Sequence, residues 1–307
     1  MEATGHAPGT VGNFGPGFDV MSLALAIRGD SVRLAEAAED RVTVSGIGAA
    51  DIPADWRRNC AAVAVEHLRR RFGVKDALHV HVEKGVPPGS GLGSSASSSA
   101  AAAKAFLAAY GKRHAIGAAD LLAAAAAGEA AVSGSHRDDV SAALFGGLAL
   151  VCPGRDDVVR VEPPQTLYLA VVRPHVKLET RRMRAVVPRS VPMEAVVANM
   201  ARVARVVDAC HRGDVVALGA AMDDALAAPH RAAFIPRHAE ARAAALASGA
   251  HGFAISGSGP SMFAVCDFKT QAESVARALA DVYREAGVPA DAFAAPPARE
   301  VLPVAAP

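Results

Sequence analysis

The sequence has almost no net charge. Its 32 Lys and Arg residues are balanced by 31 Asp and Glu residues, which leaves +1 over 307 residues. A protein that binds nucleic acid or an anionic membrane surface normally carries a basic patch or stripe. The balance therefore argues against both kinds of partner.

Paired cysteines and long apolar runs are also missing. The cysteines stand alone, with no Cys-x-x-Cys pair and no histidine at ligand spacing, so we expect reduced, mostly buried thiols. They are Cys60, Cys152, Cys210 and Cys266. No basic segment precedes an apolar run near residue 1, and the longest apolar run, near residues 121–127, is too short for a membrane span. These absences predict a cytoplasmic protein.

No internal repeat is evident, and strand-like and helix-like patterns alternate throughout, which predicts an α+β fold. The length suggests two domains, residues 1–155 and 156–307, divided at the charged turn 153–157. Periodicity predicts helices over 55–72, 96–110, 118–131, 181–185, 193–212, 214–226, 237–247 and 271–285. It predicts strands over 31–36, 41–45, 77–83, 148–152, 166–173, 249–255, 261–267 and 299–302.

One stretch, Gly85–Lys104, has the composition of an anion-binding loop followed by a helix. Pro87 and Pro88 exclude helix at its start, and the glycines at 89, 91 and 93 allow positive φ. Ser94 or Ser95 can cap a helix that continues through Ala-rich sequence to Tyr110. Such a loop presents backbone N–H groups and a helix dipole to a phosphate. A flexible Gly/Ser linker is the alternative, but linkers do not lead directly into fifteen strong helix formers.

This loop lacks the lysine of the common P-loop, since no Lys follows Gly93, and its glycine spacing does not fit a dinucleotide fingerprint. A phosphate site without its own lysine still needs countercharge, which Mg²⁺ could supply through oxygen ligands. Ser95 at the helix start and Glu129 on the next helix are the natural pair. Taken alone, Glu129 is better explained as a solvated helix end, and it becomes a metal-ligand candidate only beside Ser95 and the loop.

Two other glycine-rich segments place polar groups in turns. Asn13 and Asp19 lie among Gly12, Gly15 and Gly17, where they could face a ligand or serve only as turn residues. The segment 256–259 could be a plain hairpin turn or could direct backbone donors at a ligand. Arg184 and Arg231 stand in apolar or loop surroundings and suit a carboxylate or phosphate.

Three segments together resemble the GHMP small-molecule kinases in the order of that family's motifs. They are Asn13-Phe-Gly-Pro-Gly-Phe-Asp19, Pro87-Pro-Gly-Ser-Gly-Leu-Gly-Ser-Ser-Ala96 and Ile255-Ser-Gly-Ser-Gly-Pro-Ser261. The resemblance implies ATP-dependent phosphorylation of a small alcohol. It also implies an N-terminal, ATP-binding domain like domain 2 of ribosomal protein S5 and a C-terminal, substrate-side ferredoxin-like domain, with the active site between them.

Within the family, the chain is most similar to homoserine kinases. The resemblance rests on Ser133-Gly-Ser-His136-Arg-Asp138-Asp139-Val, Glu179-Thr180-Arg-Arg-Met-Arg184 and Pro229-His-Arg231-Ala-Ala-Phe-Ile-Pro236. It implies L-homoserine as acceptor and O-phospho-L-homoserine, a compound of threonine biosynthesis, as product.

The implied site divides into three groups of residues. Those for the acceptor are Asn13, Asp19, His136, Asp138, Thr180, Arg184, Arg231 and Gly257, with Arg184 also assigned to catalysis. Those for ATP are Asn59, Pro87, Pro88, Gly89, Ser90, Gly91, Leu92, Gly93, Ser94 and Ser95. Ser95 and Glu129 would hold Mg²⁺.

Asp139 departs from the homoserine kinase pattern, which has Asn at this position. Six residues separate it from Gly146, which resembles the spacing of an aspartate regarded as a base in mevalonate kinase-like and galactokinase-like relatives. We therefore expect Asp139 to accept or orient the acceptor's hydroxyl proton. The rival interpretation is that Asp139 marks a different acceptor alcohol.

Two other functions stay open at this point. One is a GHMP kinase for another carboxylate-bearing or sugar alcohol, and the other is a non-catalytic nucleotide-binding regulator on the same fold. The second would predict lost loop or metal residues, whereas Ser95, Glu129 and the loop glycines are all present. A homodimer is also left open, because nothing in the sequence determines the oligomeric state.

Overall fold

The computed structural model describes residues 1–134, 136–152, 154 and 157–299. Its strands are β1 (Glu2–Gly12), β2 (Met21–Glu36), β3 (Arg41–Gly46), β4 (Leu78–Lys84), β5 (Leu148–Val151), β6 (Val158–Val161), β7 (Tyr168–Pro174), β8 (Gly252–Ile255), β9 (Met262–Cys266) and β10 (Ala290–Ala295). Its helices are α1 (Cys60–Phe72), α2 (Ser94–Tyr110), α3 (Ala118–Ala130), α4 (Asp138–Phe145), α5 (Thr180–Ala185), α6 (Met193–Arg212), α7 (Val215–Ala220), α8 (Ala228–Arg231), α9 (His238–Ala247) and α10 (Lys269–Glu285).

The first sheet is built around β2, a strand of 16 residues. The strand order is β3-β4-β2-β5-β6, and β1 also pairs with β2. The β1–β2 pairing is antiparallel and places Gly12 opposite Ser22. The segment 13–19 is therefore the connection between two neighbouring strands, so its polar side chains are held at one end of the sheet.

Helix α2 is the centre of the first domain. Every residue from Ala96 to Phe106 is buried, because small alanine side chains let neighbouring elements approach the helix on all sides. Strand β1 comes so close that a Cβ atom at Gly5 would lie 2.2 Å from the carbonyl oxygen of Ala101. The helix that begins at the glycine loop is thus enclosed by β1, α1, α3 and α4.

The second sheet has the order β10-β7-β9-β8 and is antiparallel throughout. Helices α5 to α9 connect β7 to β8, and α10 connects β9 to β10. This is the strand order of a ferredoxin-like domain, and it confirms the predicted α+β class and the predicted character of the C-terminal half.

The two halves share buried structure. One apolar cluster contains Leu23 and Leu25 of the first sheet together with Leu169 and Val265 of the second. After β10 the chain returns to the first sheet, where the N–H of Ala298 donates to Ala24 O at 2.9 Å. The cleft between the halves is therefore bounded by elements that pack against each other.

The predicted domain division falls on residues 155 and 156, outside the described residues. Strand β6 comes after that division but pairs with β5 in the first sheet. The division stays a proposal, and this pairing favours placing it after Val161.

Several predicted elements need correction. Sequence patterns do not predict β1, whose glycines and proline weaken the strand signal, nor do they predict α4, β6 or β10. The helix predicted over 214–226 ends at Ala220, and the one predicted from residue 55 begins at Cys60, where Asn59 caps it. The segment 229–236, predicted to be irregular, contains α8 and a 3₁₀ turn. The last described strand is β10, and the strand predicted over 299–302 lies almost wholly outside the described residues.

Candidate active site

Three glycine-containing segments meet at one end of the cleft: residues 13–19, the loop 87–95 and the turn 256–260. Backbone hydrogen bonds join them from Thr10 N to Leu92 O (3.0 Å), from Ser261 N to Ser90 O (3.2 Å) and from Gly257 N to Gly12 O (2.9 Å). The third segment is a hairpin turn between β8 and β9. The N–H of Gly257 donates to Gly12 O, and Gly257 and Ser258 line the large cavity described below.

The loop 87–95 has the backbone of an anion cradle. Gly89, Gly91 and Gly93 have φ values of 65°, 78° and 66°, which glycine adopts without steric cost. Gly93, not a serine, is the N-cap of α2, and the Ser94 hydroxyl donates instead to Val86 O at 2.9 Å. The first N–H groups of α2 have no acceptor within the helix and can bind an anion.

A buried ion pair lies beneath the loop. Lys84 Nζ contacts Asp30 Oδ2 and donates to Ser94 O at 2.9 Å, while Asp30 Oδ1 accepts from the N–H groups of Gly85 and Val86 at 2.9 and 3.0 Å. Both side chains are about 1% exposed. The pair ties the start of the loop to the start of α2. The loop therefore has a lysine at its base, although not at the position where a P-loop carries it.

The large cavity of the cleft, about 620 Å³, has much of the predicted nucleotide site on its wall. Its lining includes Asn59, Pro88, Gly89, Ser90, Gly91, Gly93, Ser94 and Ser95. Pro87 and Leu92 lie outside this lining, and Leu92 is buried in the shared apolar cluster. Asn59 Oδ1 accepts from the N–H groups of Ala61 and Ala62, so its visible role is to cap α1.

Glu129 reaches the same cavity from α3 and carries an unsatisfied oxygen. Its Oε1 accepts from the Ser133 hydroxyl, and its Oε2 is buried without a partner among the described residues. Burial raises the pKa of Glu129 to about 7. Ser95 Oγ lies 3.3 Å from Ser133 Oγ, so hydroxyl and carboxylate oxygens converge near the start of α2.

This donor set fits Mg²⁺. A buried carboxylate oxygen without a partner is costly, and a hard cation held by one or two protein oxygens would satisfy it. Within the described ranges no three His, Cys, Asp or Glu side chains group as a metal cage. The remaining ligands would have to come from phosphate and water.

Asp139 lies in the first turn of α4 and also lines the large cavity. Its Oδ1 accepts from the hydroxyls of Thr10 (2.6 Å) and Ser22 (2.7 Å). Burial raises the pKa of Asp139, and these two hydrogen bonds oppose that rise. Its neighbour Asp138 is 4% exposed and lies outside the cavity lining; burial and the Asp139 charge raise the pKa of Asp138 well above its usual range.

Asp19 and Arg184 form a two-bond ion pair across the cleft. Arg184 Nη1 donates to Asp19 Oδ2 at 2.9 Å, and Nη2 donates to Oδ1 at 2.6 Å. His136 Nδ1 lies 3.6 Å from the same carboxylate, and burial lowers the pKa of this histidine. Arg184 Nε is a buried donor with no partner in the described part of the chain. A negative and a positive group thus stand side by side, with one donor unused.

Arg231 is 3% exposed and anchored by backbone oxygens. Its Nε donates to Met183 O at 3.1 Å and its Nη1 to Gly257 O at 2.9 Å. Asn13 Nδ2 donates to the same Gly257 O at 3.0 Å. Arg231 and Asn13 line a second cavity of about 90 Å³, and Gly257 lines both cavities. Gly257 therefore positions two side chains at the boundary between the cavities.

Thr180 begins α5 and lines the large cavity, and its Oγ1 lies 3.3 Å from Ser258 Oγ. Most of the predicted acceptor residues are joined by direct contacts. Asp19 pairs with Arg184 and lies near His136, and the N–H of Asp19 donates to Asn13 Oδ1 at 3.3 Å. Asn13 and Arg231 both donate to Gly257 O, and Thr180 lines the large cavity.

Sequence reasoning missed five supporting residues. They are Thr10, Ser22, Asp30, Lys84 and Ser133. Only Lys84 left a readable signal, a charged residue ending an alternating strand just before the loop. The others are ordinary hydroxyl or carboxylate residues whose partners lie 4 to 129 positions away.

The fold and this site define a class of protein. Residues 59–147 match the family model for the GHMP kinases N terminal domain, and residues 206–285 match that for the GHMP kinases C terminal. The chain belongs to the GHMP kinases, which are ATP-dependent enzymes, and it is a phosphotransferase with an alcohol acceptor. The predicted two-domain fold is thereby confirmed.

Relatives within this family carry a more particular name. Homoserine kinase of Halobacterium salinarum is 40% identical over 295 residues, which cover 95% of this chain and 93% of the relative. Homoserine kinase of Pyrococcus abyssi is 35% identical over 292 residues, covering 93% and 94%. The crystal structure of homoserine kinase from Cytophaga hutchinsonii has a TM-score of 0.91 at 31% identity and covers 98% of this chain and 96% of that one.

Proposed function

We propose that this protein transfers the γ-phosphate of ATP to the side-chain hydroxyl of L-homoserine and releases O-phospho-L-homoserine and ADP. The observation that carries the proposal is the Asp19–Arg184 pair. A free amino acid has an ammonium and a carboxylate on one carbon, and this pair presents their counterions side by side. The names of the relatives agree with this acceptor.

The acceptor is held by charge at its head. Asp19 attracts the ammonium, and the carboxylate accepts from the unused Nε of Arg184 and from the guanidinium of Arg231. Asn13, His136, Asp138 and Thr180 complete the surroundings. The hydroxyl end then points towards Asp139 and the phosphate loop, which share the large cavity.

ATP is held with its phosphates against the loop 89–95 and the N-terminus of α2. Ser95 and Glu129 would hold Mg²⁺, which when bound neutralises phosphate charge that the loop leaves unbalanced. The protein contributes mainly position and electrostatics, as phosphoryl transfer requires.

Glu129→Gln tests the metal assignment without relying on turnover. We expect Mn²⁺ binding in the presence of ADP, followed by electron paramagnetic resonance, to weaken at least tenfold, because a neutral amide replaces the carboxylate. Glu83→Gln is the matched control, since Glu83 is an exposed carboxylate on β4. Equal Mn²⁺ affinity in wild type and Glu129→Gln would show that the ion is held elsewhere.

Asp139 takes the proton. The homoserine oxygen attacks the γ-phosphorus, the bond from that phosphorus to the bridging oxygen of ADP breaks, and the hydroxyl proton moves to the Asp139 carboxylate. Help of this kind is worth on the order of 10²–10⁴ in rate. We expect Asp139→Asn to lower kcat for homoserine within that range and to leave KM for ATP nearly unchanged. An Asn variant as fast as wild type would exclude the base role.

A substrate panel tests the whole assignment. Purified protein with Mg-ATP is offered homoserine, mevalonate and sugar alcohols, and the products are identified by ³¹P NMR. Phosphohomoserine as the main product supports the proposal, whereas efficient phosphorylation of another alcohol alone would replace it. ATP binding with no turnover on any acceptor would indicate a regulator.

The setting of the enzyme follows from the same proposal. We propose a cytoplasmic enzyme whose partners are ATP and homoserine, with no nucleic-acid or membrane partner, in keeping with its net charge of +1. No helix within the residues that the structure describes is long and apolar enough to cross a membrane.

A further inference from the structure

Two buried hydroxyls converge on one oxygen of Asp139. Thr10 and Ser22 are both fully buried, and their hydroxyls lie 2.6 and 2.7 Å from Asp139 Oδ1. Ser22 Oγ also lies 3.3 Å from Val11 O, so its shorter contact is the one with the carboxylate. Two donors on neighbouring strands therefore fix this side chain, which belongs to a helix far away in sequence.

The backbone leaves room for the same carboxylate. A Cβ atom placed on Gly12 would lie 2.9 Å from both Oδ1 and Oδ2 of Asp139. Gly12 pairs directly with Ser22 across the β1–β2 ladder. Gly12 therefore leaves the space beside Asp139, and Ser22, which lies opposite Gly12 in the ladder, supplies one of the two donors.

We infer that Thr10, Gly12 and Ser22 form a cradle that holds Asp139 as a charged, oriented carboxylate and directs Oδ2 to the acceptor hydroxyl. The inference rests on the proposed function for its catalytic meaning. The three residues are positioning residues, because they act on the acceptor only through Asp139. Both lone-pair directions of Oδ1 are taken by hydroxyls, which leaves proton transfer to Oδ2.

The surrounding charges make such donors necessary. Four ionisable groups act on Asp139. Asp138 is its neighbour on α4, and His136 lies just before that helix. Asp19 belongs to the β1–β2 connection and Glu129 to α3. Three of these four groups are carboxyls, which oppose a further negative charge, and burial opposes it as well. The pKa of Asp139 is raised by burial and held back chiefly by Thr10 and Ser22.

The test removes the donors one at a time. Thr10→Val and Ser22→Ala are made in the wild-type and Asp139→Asn backgrounds, with Ser141→Ala as the matched control. Ser141 is a buried serine of α4 whose hydroxyl donates to Arg137 O, away from Asp139. Carbon-13 NMR of aspartate-labelled protein then follows the Asp139 carboxyl, which is assigned by its absence from the Asn variant.

Thr10→Val and Ser22→Ala should each raise the Asp139 pKa by about one unit, since each removes a hydrogen bond to the charged form. Ser141→Ala should leave it unchanged. When kcat for homoserine is plotted against pH, the acidic limb should move to higher pH by a similar amount in each donor variant. No such movement should occur in the Asp139→Asn background.

An unchanged Asp139 resonance in both donor variants would overturn the inference. So would equal losses of kcat in the two backgrounds without any movement of the pH profile, because that describes a purely structural defect. If wild type makes no phosphohomoserine, the proposed function fails, and the NMR titration still decides whether the cradle holds a charged carboxylate.

Discussion

Phe18 lies against both arginines of the acceptor side. The guanidinium carbons of Arg184 and Arg231 are 5.3 and 5.2 Å from the centre of its ring. Burial lowers the pKa of Arg231, and the like charge of Arg184 lowers it further. The negative face of an aromatic ring attracts cations, so Phe18 helps to keep both guanidiniums in place.

Phe18→Leu should therefore weaken homoserine binding selectively. Losing two cation–π contacts of roughly 0.5–1 kcal/mol each predicts a rise in KM for homoserine of about tenfold, with KM for ATP nearly unchanged. Phe18→Tyr is the control, because it keeps the ring face. A matching rise in KM for ATP, or a wild-type KM for homoserine, would refute this role for the ring.

At the scale of elements, α4 has ionisable groups at both ends. Asp138 and Asp139 occupy its first turn, where the helix dipole favours negative charge. At its other end the buried Lys104 of α2 donates to Ala143 O at 2.9 Å. Lys104 thus links the helix that begins at the phosphate loop to the helix that carries Asp139.

Lys104 makes stability depend on pH. Burial lowers the pKa of Lys104 from 10.5 to about 7, so between those values the unfolded chain binds a proton that the folded chain does not. The free energy of unfolding therefore rises with pH, and Lys104 contributes about 2 kcal/mol to that rise between pH 7 and pH 9. Lys104→Met should remove that increment in urea unfolding, whereas Lys112→Met, at an exposed lysine, should retain it. If the free energy of unfolding of Lys104→Met rose with pH as steeply as that of wild type, the pH dependence could not come from Lys104.

At the scale of the whole molecule, the two halves are held together by a common core. Phe14, in the first glycine segment, is fully buried and stacks on Phe263 of the second sheet with ring centres 5.5 Å apart. The return of the chain at Ala298 to β2 adds a second connection. These contacts predict that the halves unfold in one transition.

Phe14→Ala should destabilise both halves together, by about 3–5 kcal/mol, because it opens a cavity in the shared core. Trp56, the only tryptophan, reports on the first domain, and the buried Cys266 thiol reports on the second. Fluorescence and site-resolved thiol labelling in urea should give coincident midpoints that shift equally. Labelling of Cys266 at urea concentrations well below those that change Trp56 fluorescence would show that the domains unfold independently.

Local patterns predicted the parts of the fold that depend on neighbouring residues. Helices α3, α6 and α10 appear within two residues of their expected bounds, because composition and periodicity act over a few turns. Strand β1 was missed because its glycines and proline weaken the strand pattern, although pairing along β2 stabilises it. Helix α4 was missed because it is short and begins in a polar segment.

The site divides in the same way. The sequence by itself determined the phosphate loop, whose positive φ values need only glycine, and the carboxylates and arginines available for an amino-acid acceptor. Only the tertiary structure decided that Lys84 lies beneath that loop, that Asp19 pairs with Arg184, and that Thr10 and Ser22 hold Asp139. Those contacts join residues far apart in the chain, and their geometry is set by strand register and helix packing, which no local pattern specifies.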